Sequence, residues 1–136
     1  MALFASKKEI ILFVCEKSVN ENKPFFVDKS VPNCYIVKCP EEGCAFKMLF
    51  QGIEGGFYQL IEQQEHDCQG LQATIKRAWV REKVRVMVLQ NPRLKAKEIN
   101  EDFMTLFRIS VNKKMVKNAL ADVKRTRPAD NQAFGF

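Results

Sequence analysis

Cys39-Pro-Glu-Glu-Gly-Cys44 and His66-Asp-Cys68 are the residues of this chain best suited to chemistry. The first is a C-x4-C knuckle; the second is an H-x-C pair, with 21 residues between them. Zinc takes four thiolate or imidazole ligands in a tetrahedron, and two close pairs supplied by opposite ends of a hairpin give that geometry. Alternate residues on an extended strand point to one side, so His66 and Cys68 can reach the same ion. Four protein ligands close the site, the pattern of a structural rather than a catalytic zinc. Cys34-x4-Cys39 competes on spacing, but Cys34 falls at the far end of its strand and is the weaker candidate. Cys15, inside the apolar run Ile10 to Cys15, reads as a buried small hydrophobe. The expected ligand set is therefore Cys39, Cys44, His66 and Cys68, with Zn2+ as the cofactor.

The segment between the two pairs is the right length for two strands and a glycine-rich turn. Ser6-Lys7-Lys8-Glu9 is a capping box. It opens a helix from Lys7 to about Val19 with Ile10, Phe13, Val14 and Lys17 at helical spacing, stopped by Asn20 to Lys23 and Pro24. Segments of β character follow at Phe25–Val27, Cys34–Lys38, Ala45–Gln51 and Gly56–Glu62. Turn chemistry separates them. The spacing predicts a three- or four-stranded antiparallel meander. A sheet this small buries little surface, and a metal supplies the missing stability.

After Cys68 the texture becomes helical. Thr74 can cap a helix through Trp79, Val80, Val84, Met87 and Val88, ending at Asn91-Pro92. A second helix fits Lys95 to Phe107 with Ile99, Phe103 and Leu106 on one face. After a break at Arg108-Ile109, a third turns Val111, Met115 or Val116, Ala119, Leu120 and Val123 inward. The whole reads as α+β: an N-terminal helix with a small zinc-bound antiparallel sheet over residues 1–73, a basic three-helix segment resembling a helix-turn-helix over 74–125, and an irregular tail over 126–136.

Charge divides the chain at the same place. Residues 1–75 hold 7 Lys/Arg against 10 Asp/Glu, a net −3. Residues 76–127 hold 15 against 5, a net +10, and the last nine hold only Asp130. A basic half is an electrostatic footprint for polyanions. The candidate nucleic-acid contacts are Lys76, Arg77, Arg81, Arg85, Arg93, Lys113, Lys114, Lys117, Lys124, Arg125 and Arg127. Arg77, Arg81 and Arg85 stand at i, i+4, i+8. Lys113, Lys117 and Lys124 fall near one side of the last helix, where each phosphate contact adds salt-dependent affinity. In the tail, Phe134 and Phe136 are candidates for stacking on bases or in a protein groove.

Residues 6–70 resemble the N-terminal zinc module of Mutator-type transposases, in the WRKY/GCM zinc-finger superfamily. The matching features are Lys23-Pro-Phe-Phe-Val27, Lys29-Ser30, Tyr35-x-Val37-x-Cys39-Pro40, Gly43-Cys44-Ala-Phe46, Gly56-Phe57 and His66-Asp-Cys68. Residues 78–124 look like the region that follows in those transposases, through Ala78-Trp79-Val80, Asn91-Pro92, Lys97-Glu98-Ile99 and Val111. The resemblance implies zinc on the same four residues, and nucleic-acid binding. Two departures redirect the expectation. Those transposases continue into a large catalytic domain that this sequence does not include. Relatives of the WRKY kind read DNA with a basic strand ahead of the cysteines, whereas Asp28-Lys-Ser-Val-Pro-Asn33 is not basic. The contacts are therefore expected from the helices.

An enzyme is the weakest expectation: the single histidine is a metal ligand, and the chain shows no Gly-rich phosphate loop and no nucleophile motif. No apolar run approaches the roughly 20 residues of a membrane span, and no signal-peptide pattern is present. The chain reads as intracellular, cytoplasmic if its target is RNA and nuclear if it is DNA. The favoured expectation is a non-enzymatic factor docking on structured RNA, with the ribosome and its proteins as partners, acting by occupancy as hibernation factors do. A transposase-derived DNA-binding regulator is the alternative, and a protein-interaction module the third.

Overall fold

The structure, a computed structural model, describes residues 3–69 and 72–134, with side chains as far as Arg125. It is α+β and divides into two units, Met1–Thr74 and Ile75–Phe136. No helix among the described residues is long and apolar enough to cross a membrane.

The first unit is one helix on an antiparallel sheet. The elements are β1 (Leu3–Phe4), α1 (Lys7–Glu21), β2 (Phe26–Val31), β3 (Cys34–Lys38), β4 (Lys47–Gly52) and β5 (Tyr58–Gln64), and the strand order is β1-β5-β4-β3-β2. Ser6 caps α1, its hydroxyl accepting from the Glu9 N–H, while the Glu9 carboxylate accepts from Ala5 rather than from Ser6 itself. Asn22 ends the helix in the left-handed region at φ 53°, ahead of Pro24. Ile10, Val14, Cys15, Ser18 and Val19 are its buried stripe, and Phe13 sits at the edge, its ring 5.1 Å from that of Phe4. The core is completed from the inner face of the sheet by Tyr35, Val37, Met48 and Phe50. The opposite face carries Lys29, Ile36, Leu49 and Glu62 across one row of paired residues.

Two features of the sheet differ from the sequence expectation. β2 continues past Val27 to Val31, because a bulge at Asp28 absorbs the break in alternation. β1 adds a fifth strand of two residues, paired with Gln59 and Tyr58 of β5.

Thr74 does not cap a helix. Its hydroxyl accepts from the Phe25 N–H, its own N–H donates to Ser18 Oγ, and its carbonyl accepts from the Cys15 thiol. Ser18, the only polar residue among the described ones that is buried, donates in turn to the Lys23 carbonyl. Thr74 thus closes the first unit over the C-terminal end of α1.

The second unit is α2 (Arg77–Gln90), α3 (Ala96–Phe107) and α4 (Lys113–Phe134). Lys76 is the residue flanking α2 at its start. Glu98 accepts from the Lys95 N–H at the start of α3, and Arg108 ends that helix at φ 56°. The core is Trp79, Val80, Val84 and Val88 of α2, Ile99 and Phe103 of α3, and Val116, Ala119 and Val123 of α4. Phe107, not Leu106, continues the inward-facing stripe of α3: it is half-buried and its ring meets Trp79 edge-on at 5.2 Å, while Leu106 is 66% exposed. The spacing i, i+4, i+8 from Ile99 through Phe103 explains the choice. Val116 goes inward rather than Met115, and Leu120 is only half-buried. The backbone of α4 is helical through residues 126–134, the stretch read from sequence as part of an irregular tail.

Trp79 is the largest fully buried side chain, and its indole Nε1 has no hydrogen-bond partner. Trp79→Ala is expected to destabilise this unit by about 3–5 kcal/mol. Trp79→Phe, which keeps an aromatic ring and removes the unpaired N–H, loses much less. Urea denaturation of both variants checks the order.

Candidate metal centre and basic cleft

The register of the sheet brings the cysteine knuckle and the His-x-Cys pair together. Lys38, Lys47 and Gln64 face one another across β3, β4 and β5. Cys39 follows Lys38 directly, Cys44 lies three residues before Lys47, and His66 lies two after Gln64. All ligands therefore leave the same end of three neighbouring strands. Cys34 is at the other end of β3, roughly 17 Å away along the strand, and stands outside the cluster.

Gly43 shapes the knuckle by taking φ +83°, a left-handed conformation that strains any residue with a Cβ. The Cys44 N–H donates to the Glu41 carbonyl, closing the turn, and the Glu41 N–H donates to Cys39 Sγ at 3.4 Å. The Cys39, Cys44 and Cys68 sulfurs and a ring nitrogen of His66 all lie within 4.8 Å of one another. Cys39 Sγ to Cys68 Sγ is 3.7 Å, Cys44 Sγ to His66 Nδ1 is 3.5 Å, and Cys68 Sγ to His66 Nδ1 is 3.7 Å. A tetrahedral ion with metal–sulfur bonds of about 2.3 Å and metal–nitrogen bonds of about 2.05 Å has S–S edges of about 3.8 Å and S–N edges of about 3.6 Å. These three edges match, and the Cys3His cluster can hold a metal ion.

The surroundings fix the ligands in place. The His66 ring stacks on Phe46 at 3.9 Å with 6° between the planes. The Asp67 carboxylate accepts from the Ala45 N–H at 3.0 Å, tying the two ligand segments together, and that hydrogen bond holds its carboxyl below the usual range. Lys23 donates to the Cys68 carbonyl at 2.8 Å, and Lys17 joins Glu21 on α1 to Glu65 beside the histidine. Burial pushes the Cys39 thiol up to about 12, with hydrogen bonds to the neighbouring thiols adding to the rise, and burial lowers His66. A neutral imidazole is ready to ligate, whereas the thiols must release protons as a metal enters. Of these supports, the pairing of Lys17 and Lys23 with the ligand segments carries no sequence signature. Phe46→Ala is expected to weaken metal affinity by on the order of tenfold, the scale for groups that orient ligands. Competition with a chromophoric chelator measures it.

The basic residues sort into separate places. Arg77 and Arg81 of α2 face Lys114 and Arg125 of α4 across a cleft of about 540 Å³, whose lining includes Asn112, Asn118 and Asp122. Asn112 caps α4, its side-chain oxygen accepting from the Lys114 and Met115 N–H groups. Arg85 does not share the cleft with Arg77 and Arg81; it pairs with Glu82. Lys113, Lys117 and Lys124 are exposed on α4 and do not line the cleft, and Arg93 is exposed between α2 and α3. Lys76 precedes α2 and does not line the cleft. The side chains of Arg127 and Phe134, and all of Phe136, lie outside the described residues. Asn112, Asn118 and Asp122 were not among the residues singled out from sequence, because only the packing of α2 against α4 brings them to the arginines. In comparisons with known proteins, no protein-family model, no curated protein and no solved structure matches this chain.

Proposed function

We propose that this is a non-enzymatic nucleic-acid-binding protein in which zinc, held by Cys39, Cys44, His66 and Cys68, staples the sheet unit and the helical unit makes the polyanion contacts. The charge partition carries the reading. Met1–Thr74 holds 7 basic against 10 acidic residues, a net −3, and Ile75–Phe136 holds 15 against 6, a net +9. A surplus of that size on one small unit attracts phosphate and steers association. The metal has four protein ligands and no open position, so its chemistry is structural. When bound, zinc supplies the stability that a small sheet lacks.

Structured RNA in a ribosome-type assembly is the target we favour, with the protein acting in the cytoplasm by occupancy. An acidic sheet is poorly suited to lie in a DNA groove, and in this chain the strand preceding the cysteines pairs Asp28 with Lys38 instead of presenting a basic face. Double-stranded and folded RNA are met largely through shape and backbone, which a helical unit rich in cations can supply without reading bases. The test is co-sedimentation of the zinc-loaded protein with ribosomes at moderate and high salt, beside selection from random-sequence DNA. Sedimentation that weakens with salt supports the proposal. Failure to sediment, with enrichment of a DNA motif, replaces RNA by DNA as the target. Failure in both arms removes the nucleic-acid reading.

A further inference from the structure

The charge partition assigns nucleic-acid binding to a whole unit; the cleft between α2 and α4 narrows it to a place. Arg77 and Arg81 stand one above the other on α2, about 6 Å apart along the axis, and Lys114 and Arg125 face them from α4. Among the described residues, Arg77, Arg81 and Lys114 make no salt bridge. Arg125 is held by Asp122 at 2.6 Å, and among the described residues that carboxylate is the single acidic group in the lining. Cations left without counter-charges on both walls of one cleft repel one another, and a bound anion relieves that repulsion. Asn112 and Asn118 add amide groups, while the remaining described lining is Ala78, Met115, Ala119 and Ala121, with no aromatic ring among them on which a base could stack.

Resting on the nucleic-acid reading above, the geometry points to this cleft as the seat of consecutive backbone phosphates of a polynucleotide strand. Two guanidinium groups a helical turn apart on one wall suit successive phosphates of a single strand, and the planar fork of arginine matches phosphate oxygens better than a lysine ammonium does. With no stacking ring among the described residues of the lining, the contact is to the backbone and is indifferent to base identity. The chemistry is shared with free polyphosphate, and the test separates the two.

The zinc-loaded full chain is titrated with a 12-residue oligouridylate and, separately, with inorganic tripolyphosphate, following backbone amide shifts and the salt dependence of affinity. Arg77→Gln with Arg81→Gln is expected to lower the slope of log K against log salt by about one to two, at about 0.7 per lost single-strand contact. Asp122→Asn is expected to tighten oligouridylate binding severalfold by removing an anion from the cleft. A merely structural role for Asp122 predicts the opposite sign, so weakened binding overturns the proposal. Oligouridylate binding with an unchanged slope in the arginine variant overturns the cleft and leaves the nucleic-acid reading standing. Shifts at Arg77, Arg81 and Lys114 with tripolyphosphate, in a chain that binds no polynucleotide, overturn both.

Discussion

Replacing Cys44 by alanine releases one zinc ion per chain and unfolds residues 24–70, while the helical unit keeps its structure. The cluster has four ligands and no spare: Cys34 is at the far end of β3, and Cys15 is buried against Thr74. Losing one thiolate therefore cannot be compensated from within the described residues. Structural zinc in finger peptides contributes an apparent binding free energy of about 10–16 kcal/mol at neutral pH, far more than a small sheet has in reserve. The helical unit has its own core around Trp79, Phe103 and Val116, and its amides should remain protected from exchange. Acid should reproduce the effect, because protons compete with the metal for three thiolates. Elemental analysis together with hydrogen exchange of Cys44→Ala, with Cys34→Ser as the control, reads both parts. A variant that retains both zinc and a protected sheet refutes the site.

Reversing the exposed lysines of α4 has the second-largest expected effect. Lys113, Lys117 and Lys124 are exposed and stand outside the cleft, so they are available to a long polyanion that runs beyond it. The triple variant Lys113→Glu, Lys117→Glu, Lys124→Glu changes six units of charge. Each lost phosphate contact lowers the log–log salt slope by about 0.7–0.9, so a fall of about two to three is expected, with binding near physiological salt essentially lost. The buried stripe of Val116, Ala119 and Val123 is untouched, and circular dichroism should show the helix intact. Affinity measured between about 50 and 200 mM salt, where lost counterion release shows as a lower log–log slope, separates this outcome from unfolding. Binding that keeps its slope places the contacts elsewhere.

The metal cluster was legible because its ligands come in two pairs, and the strands between them fix which ends meet. The helix α1 was legible from its cap and its stop, and β3 from five residues bounded by turn chemistry. Other features depended on partners distant in sequence. β1 is two residues long and is a strand only because β5 lies beside it. Thr74 has the side chain of a helix cap, yet the same hydroxyl serves equally well to clasp Phe25, and only the folded chain decides. Leu106 and Phe107 are both apolar and adjacent; the helical register, set by contact with Trp79, turns the second toward the core and leaves the first exposed. The basic residues were found by type, but their division into a cleft and an outer row of α4 required the packing of α2 against α4.

The stacking of His66 on Phe46 has a spectroscopic consequence. With the rings parallel and 3.9 Å apart, the imidazole lies over the face of the phenyl ring, where the ring current shields protons. His66 is the only histidine of the chain, so its carbon-bound protons form an isolated, upfield-displaced pair of resonances. The protein thus carries its own label, one that reports from inside the ligand cluster and requires no modification of the chain.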